Sequence, residues 1–270
     1  ETQLTSRDMD LARSVQDVTE EVVVRMARHI RKETAERYLC LAGGVALNCV
    51  ANGKLLREEI FDDLWIQPAA GDAGGALGAA LFAWHQILDK PRAPSGSPDR
   101  RYTTYLGPRF SNDSIMQWLD EENHPYHRIE NGELEILVSK LLAEGKVVGW
   151  FNGRMEFGPR ALGSRSILGD ARSATMQSIM NLKIKYRESF RPFAPSCLEE
   201  DVGEFFQLDR PSPYMLLVAN VRAERCVAMT ETESELFGIE KLNVSRSDIP
   251  AVTHVDYSAR IQTANKDDHP

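Results

Sequence analysis

Two short apolar runs, each ending in small residues and followed by a helical pattern, constrain the fold of this chain more than any other feature. "RYLCLAGG" (37–44) reads as a buried strand running into a double-glycine turn, with a helix predicted over "VALNCVANGKLLREE". "LWIQPAA" (64–70) reads as a second strand, and "GDAGGALGAALFAWHQIL" (71–88) as a helix with small residues packed into its first half. Upstream, Leu11, Val15, Val18, Val22, Met26 and Ile30 recur at helical spacing, which predicts a helix over 6–32 with one apolar face and a start at Ser6. Strand, turn, helix, strand, helix in that order argues an α/β arrangement.

The stretch "DKPRAPSGSPDRR" (89–101) interrupts this pattern with three prolines and almost no apolar content. It reads as a linker, and it divides the chain into segments 1–88 and 102–270. In the second segment, helices are predicted near 111–122, over 134–145 and over 174–184, and strands at "KVVGWFNG" (146–153), "YMLLVANV" (214–221) and "ARIQT" (259–263). This less regular mixture leaves α/β and α+β both open. No apolar run of membrane-spanning length occurs, and the opening residues are not expected to form a leader. The four dispersed cysteines form no CxxC. Those within apolar runs, such as Cys40, read as small core residues in a reducing compartment, so a cytoplasmic location is expected.

The net charge of −8 argues against a general nucleic-acid binder. Between Lys146 and Arg191, however, nine basic residues face only three acidic ones. The basic residues sit in "GRMEFGPRALGSRSIL" (153–168) and "KYRESFRPFAP" (185–195), among Gly, Pro and Phe, which is unlike a solvated helix face. Arginine's planar fork pairs with phosphate or carboxylate oxygens. Glycines 153, 158 and 163 are expected to turn backbone N–H groups toward an anion. Arg191 is read either as stacked on Phe190 and Phe193 or as aimed at a small anionic substrate. The Gly43–Gly44 turn and the Asp72 junction resemble half of a nucleotide site. Asp72 is either a helix cap or a ligand of a divalent metal.

The stretches "GRMEFGPRALGSRSIL", "FRPFAPSCLEE", "SPYMLLV" and "PAVTHVDYSARIQT" resemble, in that order, the C-terminal part of the O-carbamoyltransferase family. "LAGGVALNCVANGKLL" with "PAAGDAGGALGAAL" is similar to the second half of that family's N-terminal domain. The resemblance covers roughly 6–88 and 102–264. It implies the second half of an actin/hexokinase-type domain followed by a YrdC-like domain that combines carbamoyl phosphate with ATP into carbamoyl-adenylate, the carbamoyl group then passing to a hydroxyl of a small-molecule acceptor. It further implies that Arg160, Lys185 and Arg191 hold the carbamoyl phosphate and nucleotide phosphates, with Arg154, Arg165, Arg187 and Arg260 as secondary candidates. Thr253 and His254 would lie at the same pocket, His254 as a proton carrier or a structural hydrogen-bonder. Gly43, Gly44 and Asn48 would contact the nucleotide, and Asp72 would be one ligand of a Mg- or Fe-like divalent metal.

The sequence departs from the family pattern in places. The first half of the N-terminal domain, with its paired-histidine motif, and the segment after Asn265 are expected to be missing, so full transfer activity is doubtful for such a fragment. Ser164 stands where the family usually has Asn, and Tyr257 where Gly is usual. Two other readings remain open: a non-catalytic nucleotide- or anion-binding module, and a threonylcarbamoyl-adenylate synthase acting in tRNA modification. A homodimer is compatible with all three.

Overall fold

A computed structural model describes residues 4–92, 104–129 and 132–266. Helix α1 (Ser6–Thr34) starts at Ser6 as the sequence suggests, with Thr5 as the cap, closing a reciprocal pair of bonds with Asp8. Strands β1 (Tyr38–Leu41) and β2 (Asp63–Ile66) pair in parallel, and helix α2 (Cys49–Arg57) lies between them in sequence. Parallel neighbours need such a crossover. Helix α3 (Ala73–Phe82) runs on into a π turn over Ala83–Ile87.

Beyond the expected linker, most of which falls outside the described residues, come α4 (Asn112–Glu121) and α5 (Leu134–Ala143). Strand β3 (Val148–Phe151) then pairs antiparallel with β4 (Arg165–Leu168). The sequence reading did not foresee β4, which turns the glycine-rich stretch into the loop of a hairpin. Helix α6 (Met176–Ile179) ends in a second π turn, Met180–Ile184. A three-stranded sheet follows in the order β5 (Ser196–Leu198), β7 (Ser258–Ala264), β6 (Leu217–Asn220). β5 is parallel and β6 antiparallel to the central β7. Two short helices, α7 (Val202–Phe205) and α8 (Glu231–Glu235), precede and follow β6 in sequence. The whole is a mixed α and β structure with small sheets.

The main core draws on both sides of the expected linker. Ala46, Ile66 and Ala70 pack with Phe206, Leu217 and Ile261. Helix α2 lies directly on β6. Asn52, fully buried, donates to Ala46 O (2.8 Å) and Leu216 O (3.1 Å), and Arg57 donates to Val218 O (3.2 Å).

Three expectations about burial are corrected. The six apolar residues of α1 are exposed, and the helix instead buries Val24 and Ala27. Helix α3 buries none of its residues. Cys40 is exposed, because the two-stranded sheet leaves one face of β1 uncovered. No helix among the described residues is long and apolar enough to cross a membrane.

Candidate functional site

The second half of the loop between β3 and β4 turns amides inward, onto the loop's own acid. Glu156, buried, accepts N–H bonds at Oε1 from Leu162 (2.6 Å), Ser164 (2.8 Å) and Arg165 (3.3 Å). Gly153, Gly158 and Gly163 adopt positive φ, which lets the chain curl this tightly. Those three amides are therefore spent on Glu156 and are not offered to an external anion.

A second loop is organised by a different buried polar residue. The π turn after α6 carries the Lys185 N–H back to Met180 O (2.9 Å), and Tyr186 follows in the left-handed region. Asn181, wholly buried, then ties the returning chain down. It donates to Ser189 O (3.0 Å) and Arg191 O (2.8 Å) and accepts from Arg187 Nε (2.6 Å). Stacking on Phe193 falls to Arg187, whose guanidinium lies 4.9 Å from the ring centre, rather than to Arg191. π turns recur at functional sites because they break helical register and redirect side chains.

These loops and β7 enclose a cleft of about 640 Å3. Arg160, Lys185, Arg187, Arg191 and Arg260 all line it, together with Gln262 and Met215, the latter strained at φ 54°. Among the described residues, no aspartate or glutamate lines this cleft. Glu188 reaches Arg191 at 2.8 Å, an exposed pair. Arg160 donates to Leu47 O (2.9 Å) at the start of α2, while its Nε and that of Arg260 are buried without a partner.

The electrostatics follow from this crowding. Burial, then repulsion from Arg160, pushes the Arg260 guanidinium below its ordinary range, and burial does the same to Arg160. Burial and then Arg187 lower Lys185. Arg187 is lowered by burial, then by Arg191 and Arg260. A half-enclosed set of repelling cations with unmet donors has the charge and hydrogen-bonding capacity that a polyanion would satisfy. By contrast, a pocket of about 340 Å3 beside Trp65 and Tyr214 holds Arg210 already paired with Asp63 at 2.6 Å.

The remaining candidates fall elsewhere. Arg154 donates to Gly107 O (2.9 Å). Arg165 binds the carbonyls of Asn152 and Ser164 and lies 3.5 Å over the Phe151 ring. Both hold the hairpin in place instead of facing the cleft. Thr253 is buried against Ser247 Oγ (2.7 Å) and Ile249 O (3.0 Å). His254 bonds Ser258 Oγ through Nδ1 (3.0 Å), and its Nε2 is buried without a partner. Burial lowers its pKa, against the opposing pull of Asp256 and with a smaller contribution from Arg260. Tyr257 takes φ 65° where the family usually has glycine, and its hydroxyl turns to Val227 O (3.1 Å).

In the first segment, Gly43 takes φ 98° and donates to Ala70 O (2.8 Å); Gly44 opens a short 3-10 turn. Asn48 caps α2 through Ala51 N (3.1 Å) and pairs with Gln16. Asp72 is exposed and makes no cap bond. Among the described residues no three His, Cys, Asp or Glu gather as a metal site would require. The residues present therefore do not by themselves fit a metal. Glu156 and Asn181 escaped the sequence reading. The first was visible as the one acid inside the arginine-rich loop; Asn181 carried no such signal.

Comparison with known proteins gives this cleft a context. The carbamoyltransferase N-terminus family matches residues 1–81, and the carbamoyltransferase C-terminus family matches residues 139–270. An uncharacterized protein of Synechocystis sp. is 58% identical over all of this chain and 44% of its own length. Nodulation protein NolO of Bradyrhizobium diazoefficiens is 41% identical over 98% of this chain and 45% of its own length. The 3'-hydroxymethylcephem-O-carbamoyltransferase of Streptomyces clavuligerus is 34% identical over 94% of this chain and 42% of its own length. The chain thus spans less than half the length of these relatives. With both of its segments matched, the chain belongs to the carbamoyltransferase family.

Proposed function

We propose that this chain carries the phosphate-handling part of a carbamoyltransferase. Its substrates are carbamoyl phosphate and ATP, joined with water into carbamoyl-adenylate as phosphate and pyrophosphate leave; the carbamoyl group then passes to a hydroxyl of a small-molecule acceptor. In this reading residues 1–88 are the second half of an actin/hexokinase-type domain and 102–270 a YrdC-like domain. The observation that carries it is the gathering of five cations from three separated stretches on one cleft that no acid lines among the described residues.

Arg160 and Arg260, the deeper pair, would hold the phosphoryl group, and Lys185, Arg187 and Arg191 the nucleotide phosphates nearer the rim. Two polyanions approach each other only where fixed cations offset their repulsion, and guanidinium groups held by packing need no reorganisation to do so. No side-chain nucleophile is required when the adenylate is the activated species. His254 does not line the cleft and its Nε2 is buried, so it serves as a structural hydrogen-bonder to Ser258 rather than as a proton carrier. Any divalent metal would need ligands beyond Asp72.

Titration calorimetry with carbamoyl phosphate and ATP, singly and together, tests the reading. Each should bind, and Arg160→Ala should weaken the phosphate ligand by about 1.5–3 kcal/mol. Unchanged affinity removes Arg160 from the site. Binding of ATP with no effect of carbamoyl phosphate favours a nucleotide-binding module instead. Carbamoyl-phosphate-dependent exchange of labelled pyrophosphate into ATP would establish adenylate formation.

A further inference from the structure

Among the described residues, Arg160 is the one cation of the cleft that stands on the hairpin loop, five residues before β4 begins at Arg165. We propose that Glu156 is a positioning residue for anion binding: an internal anion around which the loop is wound, so that Arg160 is aimed into the cleft before any ligand arrives. This rests on the reading of the cleft as a phosphate site.

The loop is bracketed on both sides of Arg160. On the inner side, Glu156 Oε1 gathers the N–H groups of Leu162, Ser164 and Arg165 within 2.6–3.3 Å. On the outer side, Leu162 O accepts from Gln262 Nε2 (2.9 Å) and Tyr105 Oη (2.8 Å). With residues 156 and 162 both anchored, the short span between them has little freedom. Gly158, at φ 139°, brings that span against Ala69 with 3.4 Å between its would-be Cβ and the alanine methyl. Arg160 Nη2 then rests on Leu47 O.

Three converging N–H donors call for a group that only accepts, and a carboxylate is that group. A glutamine keeps the shape but loses the charge and brings an amide N–H2 into a pocket of donors. Without the anchor the loop must be ordered when ligand binds, and that ordering is subtracted from affinity.

The test is a double-mutant cycle on the full chain, with pyrophosphate and carbamoyl phosphate as probes and calorimetry as the readout. Glu156→Gln should weaken binding about tenfold, as losing one charge-assisted bond's worth of preorganisation would. Arg160→Ala should weaken it further. The double variant should bind no worse than Arg160→Ala alone, because Glu156 acts through that side chain. A purely structural role would instead make the two losses multiply, and that result overturns the proposal. So does Glu156→Gln protein that binds as the wild type does. Wild-type protein that binds neither probe overturns the reading beneath it. Should Glu156→Gln fail to fold, amide exchange on the ligand-free wild type decides: the Leu162 and Ser164 N–H groups should be protected, and free exchange there refutes the anchor.

Discussion

Lys185 is held where its charge is costly. Burial and the neighbouring Arg187 both lower its pKa, and no ion pair among the described residues offsets them. The protonated ammonium binds an anion and the neutral amine does not, so affinity is present below the Lys185 pKa and lost as pH rises through it. That loss should begin below the range of an ordinary lysine. Pyrophosphate affinity measured across alkaline pH should show this limb, and Lys185→Arg should remove it, since guanidinium stays charged. A wild-type profile flat up to the ordinary lysine range would place the ammonium outside the binding surface. Asn181 and Glu156 make a complementary point. Neither lines the cleft, yet each holds a loop through several bonds, and all the cleft's cations but Arg260 stand on those loops.

Among the elements, the docking of α2 on β6 joins the two segments. A Cβ on Gly53 would come 2.2 Å from Val218 O, a backbone atom that cannot swing away. Gly53→Ala should therefore lower stability by about 1–3 kcal/mol, read as a shift in urea midpoint with little change in slope. Strands β1, β2, β3, β6 and β7 lay where apolar runs placed them, because such runs favour strands even where, as in β1 and β3, one face stays exposed. The path of the second segment was less legible. β4 is only four residues, "RSIL", inside a stretch whose glycines and arginines suggested a ligand loop. The burial of α1 was misjudged for a related reason. Spacing identifies an apolar stripe, but only packing decides whether that stripe is covered, and Leu11, Val15 and Val18 are not.

At the scale of the whole molecule, clustered cations link stability to ligand. Repulsion among Arg160, Arg187, Arg191 and Arg260 opposes folding until an anion enters. Pyrophosphate at a hundredfold its Kd should raise stability by about 2.7 kcal/mol, seen as a higher unfolding temperature. Added salt should erode the gain by screening. No thermal shift with pyrophosphate at low salt would mean that the cations do not act together. The sequence by itself determined the kinds of element, the excess of positive charge between Lys146 and Arg191, and the motifs that mark the family. Those follow from local propensity, periodicity and side-chain chemistry, which neighbours in the chain already fix. Only the tertiary structure decided which arginines share a cavity and which, like Arg154 and Arg165, serve backbone carbonyls. A guanidinium's role depends on the nearest unsatisfied oxygen or anion in space, and bonds such as Arg160 to Leu47, between residues far apart in the chain, leave no trace in spacing along it.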